Sequence, residues 1–170
     1  MSTFEAALPT TLEHEGGYQD DPKDHANWQF GRIGEGRLIG TKYGVTGQDF
    51  PNFTAEQMKE LTPQEAGAFY KQKYWKSEYD SIESQDVATK LFDMGVLFGA
   101  KEAVKELQRA LTIEPDGEFG ELTLQVVNGL PATDVLYVFK IEMVRLAGEI
   151  GAKNPAERGD VAGWIKRINS

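Results

Sequence analysis

A mainly helical α+β fold is predicted by three observations. Apolar residues recur at helical spacing along most of the chain, the recurring runs are bounded by capping or breaking residues, and the stretch from 16 to 50 carries only short alternating runs. In order, Phe4, Ala7, Leu8, Thr11 and Leu12 mark an amphipathic helix over 3–14, stopped by Gly16-Gly17. Residues 16–50 are rich in Gly, Asp and aromatics, and Arg37-Leu38-Ile39-Gly40 and Tyr43-Gly44-Val45-Thr46 suit a small irregular sheet or hairpin. Thr54 and Glu56 open a short helix. Thr62-Pro63-Gln64-Glu65 is a capping box with Pro at the first helical position, and its helix is expected to reach about Lys76.

Two further helices are predicted over Ser84–Phe98 and Ala100–Leu111, with Val87, Leu91, Met94 and Val104, Leu107, Leu111 on their buried stripes. Gly95 and Gly99 suggest close packing or a break between them. Pro115-Asp116-Gly117 reads as a turn, followed by a short helix over 121–128 and a long one over 131–150 that carries Val135, Val138, Phe139, Glu142 and Leu146. Asn154-Pro155 ends it, and Val161–Ile168 forms a terminal helix. No repeat or flexible linker appears, so a region over 1–85 and a helical region over 86–170 are expected to share one packed body, with a soft boundary.

Composition narrows the function. The chain has 170 residues, 40% hydrophobic and 26% charged, which is ordinary for a globular protein. A net charge of -9 and a pI near 4.8 leave no cationic surplus for nucleic acid. With no cysteine there is no disulfide framework and no thiolate nucleophile or metal site. The two histidines, His14 and His25, lack a third ligand at metal spacing, so neither a metal nor a cofactor is implied. The N-terminal residues have neither a basic nor an apolar signal region, and no run approaches about 18 apolar residues. Synthesis in the cytoplasm without a Sec signal is the expectation, as a monomer and without stable membrane insertion.

Glu15 is the residue with the most to say about chemistry. A carboxyl at the end of a helix, at a Gly-Gly stop, is placed at the edge of a cleft, half screened from water, where it can serve as a proton donor. From position alone a solvated helix-end Glu is the commoner reading, because the helix dipole disfavours a carboxylate there. Cleavage of a glycosidic bond needs such an acid and, in most designs, a second carboxylate that attacks the sugar or holds water. Asp24, nine positions on and beyond Pro22, is the candidate partner, with Asp20 and Asp21 as alternatives and a solvated acidic turn as the bland reading.

Glu15-Gly16-Gly17-Tyr18-Gln19-Asp20-Asp21-Pro22-Lys23-Asp24 and Gly40-Thr41-Lys42-Tyr43-Gly44-Val45-Thr46 resemble the motifs of the glycoside hydrolase family 108 N-acetylmuramidases, phage and bacterial lysozymes. Leu107–Leu111, Asp116-Gly117-Glu118-Phe119-Gly120 and Gly163–Arg167 look like the small peptidoglycan-binding half that accompanies this family. The resemblance implies a lysozyme-like fold and cleavage of the β-1,4 bond between N-acetylmuramic acid and N-acetylglucosamine. By similarity to phage-type lysozymes it implies Glu15 as acid, with Asp24 and Thr41 positioning water; Thr46 competes with Thr41. His25–Gly40 intervenes where family members have only a few residues, and Asn27-Trp28 with Gly34-Glu35-Gly36 resembles a longer-loop variant. Leu97 stands where the family segment carries Asn.

Aromatic faces stack on sugar C–H groups, so Tyr18, Trp28, Tyr43 and Trp75 are candidate substrate contacts. For Trp75 core packing is the commoner job, and Trp164 is expected in the core. The D-G-x-x-G-x-x-T run from Asp116 is expected to act mainly as a helix-entry turn. Peptidoglycan strands are the implied partner, with action in the periplasm or cell wall after delivery by a holin, a phage tail or a secretion machine. A lytic transglycosylase using Glu15 alone, and a non-catalytic wall-binding or tail protein, are the rival readings; phage and bacterial origin both remain open.

Overall fold

A computed structural model describes residues 1–170. It contains eight α-helices and one hairpin: α1 Phe4–Glu15, β1 Thr41–Lys42, β2 Val45–Thr46, α2 Ala55–Glu60, α3 Pro63–Tyr74, α4 Gln85–Phe98, α5 Ala100–Ala110, α6 Glu121–Gly129, α7 Ala132–Lys153 and α8 Val161–Asn169. Single 3₁₀ segments at His25–Asn27 and Ser77–Ser81 were not foreseen from periodicity. The mainly helical, lysozyme-like architecture with a small sheet is therefore as expected. The chain falls into two compact units, Pro9–Gln72 and Met1–Leu8 with Lys73–Ser170.

Local chemistry accounts for the helix ends. Thr54 and Gln57 close a capping box on α2, and Thr62 and Glu65 do the same on α3, where Glu65 Oε2 accepts both the amide and the hydroxyl of Thr62 at 2.8 Å. Ser84 caps α4 by accepting from Val87 N. Gly99, at φ +96°, takes the left-handed turn that separates α4 from α5. α3 stops at Tyr74, two residues short of expectation, whereas α7 runs on to Lys153.

The unit formed by Met1–Leu8 and Lys73–Ser170 is built on an aromatic cluster. Phe4 meets Trp75 and Phe92 edge-on at ring separations of 5.7 and 5.4 Å, and Trp75 also meets Tyr79. Val87, Leu91, Met94, Val104 and Leu107 are buried as their spacing predicts, while Leu111 is only half-buried. Arg167 of α8 donates to fully buried Asp93 of α4 at 2.8 Å. Trp164, expected in the core, is half-buried with its ring edge-on to Phe98.

The Asp116 turn is tied internally, which supports its expected structural job. Buried Gln108 donates to Asp116 Oδ1 at 2.7 Å and to Thr123 Oγ1 at 3.2 Å, and accepts from Gly117 N at 2.8 Å. The Glu118 amide, then the Gln108 amide, hold the Asp116 carboxyl below its ordinary value. A carboxyl lowered by folding contributes stability that is present above its unfolded pKa and is lost as pH falls through the lower folded value. Asp116→Asn is therefore expected to flatten the acid limb of a plot of Tm against pH. An unchanged acid limb would contradict this tie.

Candidate active site

The site is built within the Pro9–Gln72 unit. Gly16, at φ +71°, turns the chain out of α1 immediately after Glu15, leaving that carboxyl half-buried. The Gly16 carbonyl then accepts from Tyr43 N at 3.2 Å. Tyr43 and Gly44 are the two central residues of the β1–β2 hairpin, which pairs Thr41 with Thr46 and Lys42 with Val45. Both have positive φ, +50° and +70°, as a two-residue hairpin turn of the twist-matched kind requires. Tyr43 is costly in that region. It is held there from both sides, by Gly16 O on its amide and by the hydroxyl of buried Tyr70, which donates to its carbonyl at 2.8 Å.

Gly44 lies against the Glu15 carboxyl. A methyl group on Gly44 would overlap both Glu15 Oε2 and Tyr70 Oη, and would come 2.9 Å from Glu15 Cδ. The hairpin turn thus forms the bed on which Glu15 lies. Tyr70, which no motif marked, is the side chain that supports this bed from α3.

Asp24 is the cap of the 3₁₀ segment: Oδ1 accepts from Ala26 N at 2.9 Å, and Oδ2 accepts from Gln19 Nε2 at 3.1 Å. The same Gln19 nitrogen donates to Asn27 Oδ1 at 3.0 Å, and that oxygen accepts the Thr41 hydroxyl at 2.7 Å. Two candidates far apart in sequence, Asp24 and Thr41, are therefore joined through two side-chain amides. Asn27 is fully buried, and its carbonyl takes the amides of Ile39 and Gly40 at 2.9 and 3.0 Å. The long stretch from His25 to Gly40 begins and ends on this one residue, so its length does not separate Thr41 from Asp24.

The alternatives are committed elsewhere. Asp20 Oδ2 accepts the Tyr18 hydroxyl at 3.2 Å, Asp21 Oδ1 accepts Lys23 N at 2.9 Å, and Thr46 donates to Asp49 at 2.9 Å. Among the aromatics, Tyr18 has the Gly40 backbone against its ring and Lys59 Nζ 5.1 Å from its centroid. Burial, then Asp20, raises its phenol above the ordinary value. Trp28 is half-buried and donates from Nε1 to Pro22 O at 3.0 Å; Tyr43 is half-buried with Lys42 Nζ over its ring. Trp75 is corrected as a sugar contact: it is 9% exposed, ringed by Phe4, Tyr79 and Phe92, and its Nε1 is used on Asp80. Core packing, the commoner job for a Trp in that segment, is what the structure shows, with Tyr79 and Asp80 nearby in sequence and Phe4 and Phe92 farther off.

Comparison with known proteins bears on the fold and the family. Twelve solved chains match, among them SagA of Brucella abortus, 24% identical with a TM-score of 0.65 over 97% of this chain and 92% of that one, a likeness of fold. No curated protein sequence matches. The pattern of the family described as glycosyl hydrolase 108 matches residues 8–99, more than half of the chain and all of Glu15, Asp24 and Thr41. The chain belongs to the glycosyl hydrolase 108 family and is a peptidoglycan hydrolase of the lysozyme type.

Proposed function

We propose that the enzyme is an N-acetylmuramidase that hydrolyses the β-1,4 bond between N-acetylmuramic acid and N-acetylglucosamine, with Glu15 as general acid and Asp24 and Thr41 holding the attacking water. The observation that carries this reading is the hydrogen-bonded link from Asp24 through Gln19 and Asn27 to Thr41. Glu15 gives its proton to the bridging oxygen as the C–O bond breaks, water adds to the anomeric carbon from the opposite face, and Asp24 takes a proton from that water. No cofactor enters. The rival that uses Glu15 alone leaves the Asp24–Thr41 link without a role.

Half-buried Tyr18, Trp28 and Tyr43 are the proposed sugar contacts. For residues 86–170 the sequence resemblance supports a wall-contacting role, and exposed Tyr137 and Ile141 of α7 offer a surface for it. The biological setting that fits is a phage lysin or a secreted wall-degrading enzyme acting on the cell wall. No helix is long and apolar enough to cross a membrane.

Mass spectrometry of digested sacculi tests the bond and the reaction together. Reducing muramic acid ends are expected; anhydro ends would replace this reading with transglycosylation, and reducing glucosamine ends would move the cut to the other bond. Stereochemistry tests the water. Held opposite Glu15, water gives the inverted α-anomer and needs carboxyls roughly 6.5–9.5 Å apart, whereas a covalent route needs about 5–5.5 Å and retains configuration. NMR of fresh product should show the α-anomer first; the β-anomer would refute the water-holding scheme while leaving Glu15 as the acid.

A further inference from the structure

We infer that Gln19 and Asn27 are positioning residues that fix the direction of the Thr41 hydroxyl and make it, like Asp24, an acceptor toward the attacking water; the inference rests on the water-holding roles proposed above. Side-chain amides can usually be turned over without visible consequence. Here two main-chain groups forbid it. The Asp21 carbonyl can only accept, so Asn27 must present Nδ2 to it, at 2.9 Å. The Asp21 amide can only donate, so Gln19 must present Oε1 to it, at 3.1 Å.

With those ends fixed, the rest follows. Gln19 and Asn27 close on each other through a pair of bonds, Nδ2 to Oε1 at 2.8 Å and Nε2 to Oδ1 at 3.0 Å. Asn27 Oδ1 is left facing Thr41, and an oxygen of that kind has no proton to give. The single proton of Thr41 is thereby spent inward at 2.7 Å, and only lone pairs of Oγ1 remain for any other partner. Asp24, receiving Gln19 Nε2 on Oδ2, is likewise an acceptor. A water that gives one hydrogen to each turns a lone pair away from both, which is the orientation a nucleophile needs. Asn27 is fully buried, so solvent does not compete for its oxygen. Neither amide titrates, so the polarity holds at any pH at which Asp24 is ionised.

The test compares Gln19→Ala, Asn27→Ala, Thr41→Val and Asp24→Asn, with the relevant double variants, on a soluble glycan fragment of purified peptidoglycan. Each protein is first checked for an unchanged circular dichroism spectrum. Asn27→Ala is expected to lower kcat by about 10- to 100-fold with KM within about threefold, since a misplaced reactant costs rate more than binding. Its loss should nearly vanish in the Thr41→Val background, because residues acting as one unit are not additive. The exposed Gln19 side chain makes Gln19→Ala the safer variant; its kcat should fall by about tenfold, and most of that loss should vanish in Asp24→Asn.

The outcomes separate cleanly. If Thr41→Val and Asp24→Asn are disabled while Gln19→Ala and Asn27→Ala keep near-normal kcat, the amide inference falls and the water reading stands. Independent, multiplicative losses also overturn it, because the amides then only hold the loop. If Thr41→Val and Asp24→Asn themselves keep their kcat, the underlying reading fails. Should Asn27→Ala not fold, the Gln19 and Asp24 cycle decides alone.

Discussion

Glu15→Gln is expected to fold like the wild-type enzyme and to lose at least about a hundredfold in its rate of lysing purified sacculi, the low end of what a general acid contributes. The replacement keeps the shape of the side chain at the end of α1 and its place on the Gly44 turn, but it has no acidic proton to give. Circular dichroism and thermal melting should therefore match wild type while turbidity clearance collapses. A well-folded Glu15→Gln protein that still clears sacculi at a near-normal rate would remove the acid from this scheme and the scheme with it.

Gly44→Ala is expected to be the most damaging change outside the residues assigned to chemistry. Two separate costs arise. The left-handed φ of +70° strains any L side chain, by roughly 1–3 kcal/mol. The added methyl would also overlap Glu15 Oε2 and the Tyr70 hydroxyl, so the carboxyl must move off its bed. Displacement of an acid by about 1 Å costs on the order of a hundredfold in rate. Gly34→Ala separates the two costs. Its φ is +80°, yet nothing lies within 4 Å of the new methyl. Gly34→Ala should lower Tm modestly and leave kcat alone, whereas Gly44→Ala should lower both. Equal rates for the two variants would show that the turn does not position Glu15.

Much of the helical framework was legible because its signals are local. Thr54, Thr62 and Ser84 announce helices through partners three residues away, and Gly99 breaks one through its own backbone. Glu15 was legible for the same reason, as a helix end at a glycine stop. The links that join the site were not. Asn27 sits in a Gly- and Asp-rich stretch that reads only as a small irregular sheet or hairpin with an enlarged loop, and its importance comes from Gln19 eight positions before it and Thr41 fourteen after it. Tyr70 lies within a helix that the sequence marks only by its capping box, yet it reaches back 27 positions to Tyr43. Trp75 was open between sugar contact and core, and Phe4, one of the three rings that bury it, lies 71 positions away. Pairings of this kind are set by topology, and no single window contains them.

The way α1 is rooted limits how the enzyme can be trimmed. Its first residues belong with the C-terminal unit, its last residue is Glu15, the proposed acid, and Pro9, which has no N–H to give to the helix, lies at the division. Ser2 is anchored through its amide to Asp80 O at 3.2 Å and through its hydroxyl to Ile82 O at 2.8 Å, and Thr3 N to Gln85 at 2.8 Å. An expression fragment cut after Gln72 would contain Glu15, Asp24 and Thr41, yet it would strip Phe4 of Trp75 and Phe92 and loosen the start of the helix that ends in Glu15. A shortened enzyme is better sought by pruning exposed loops than by harvesting the segment that carries the three candidate residues.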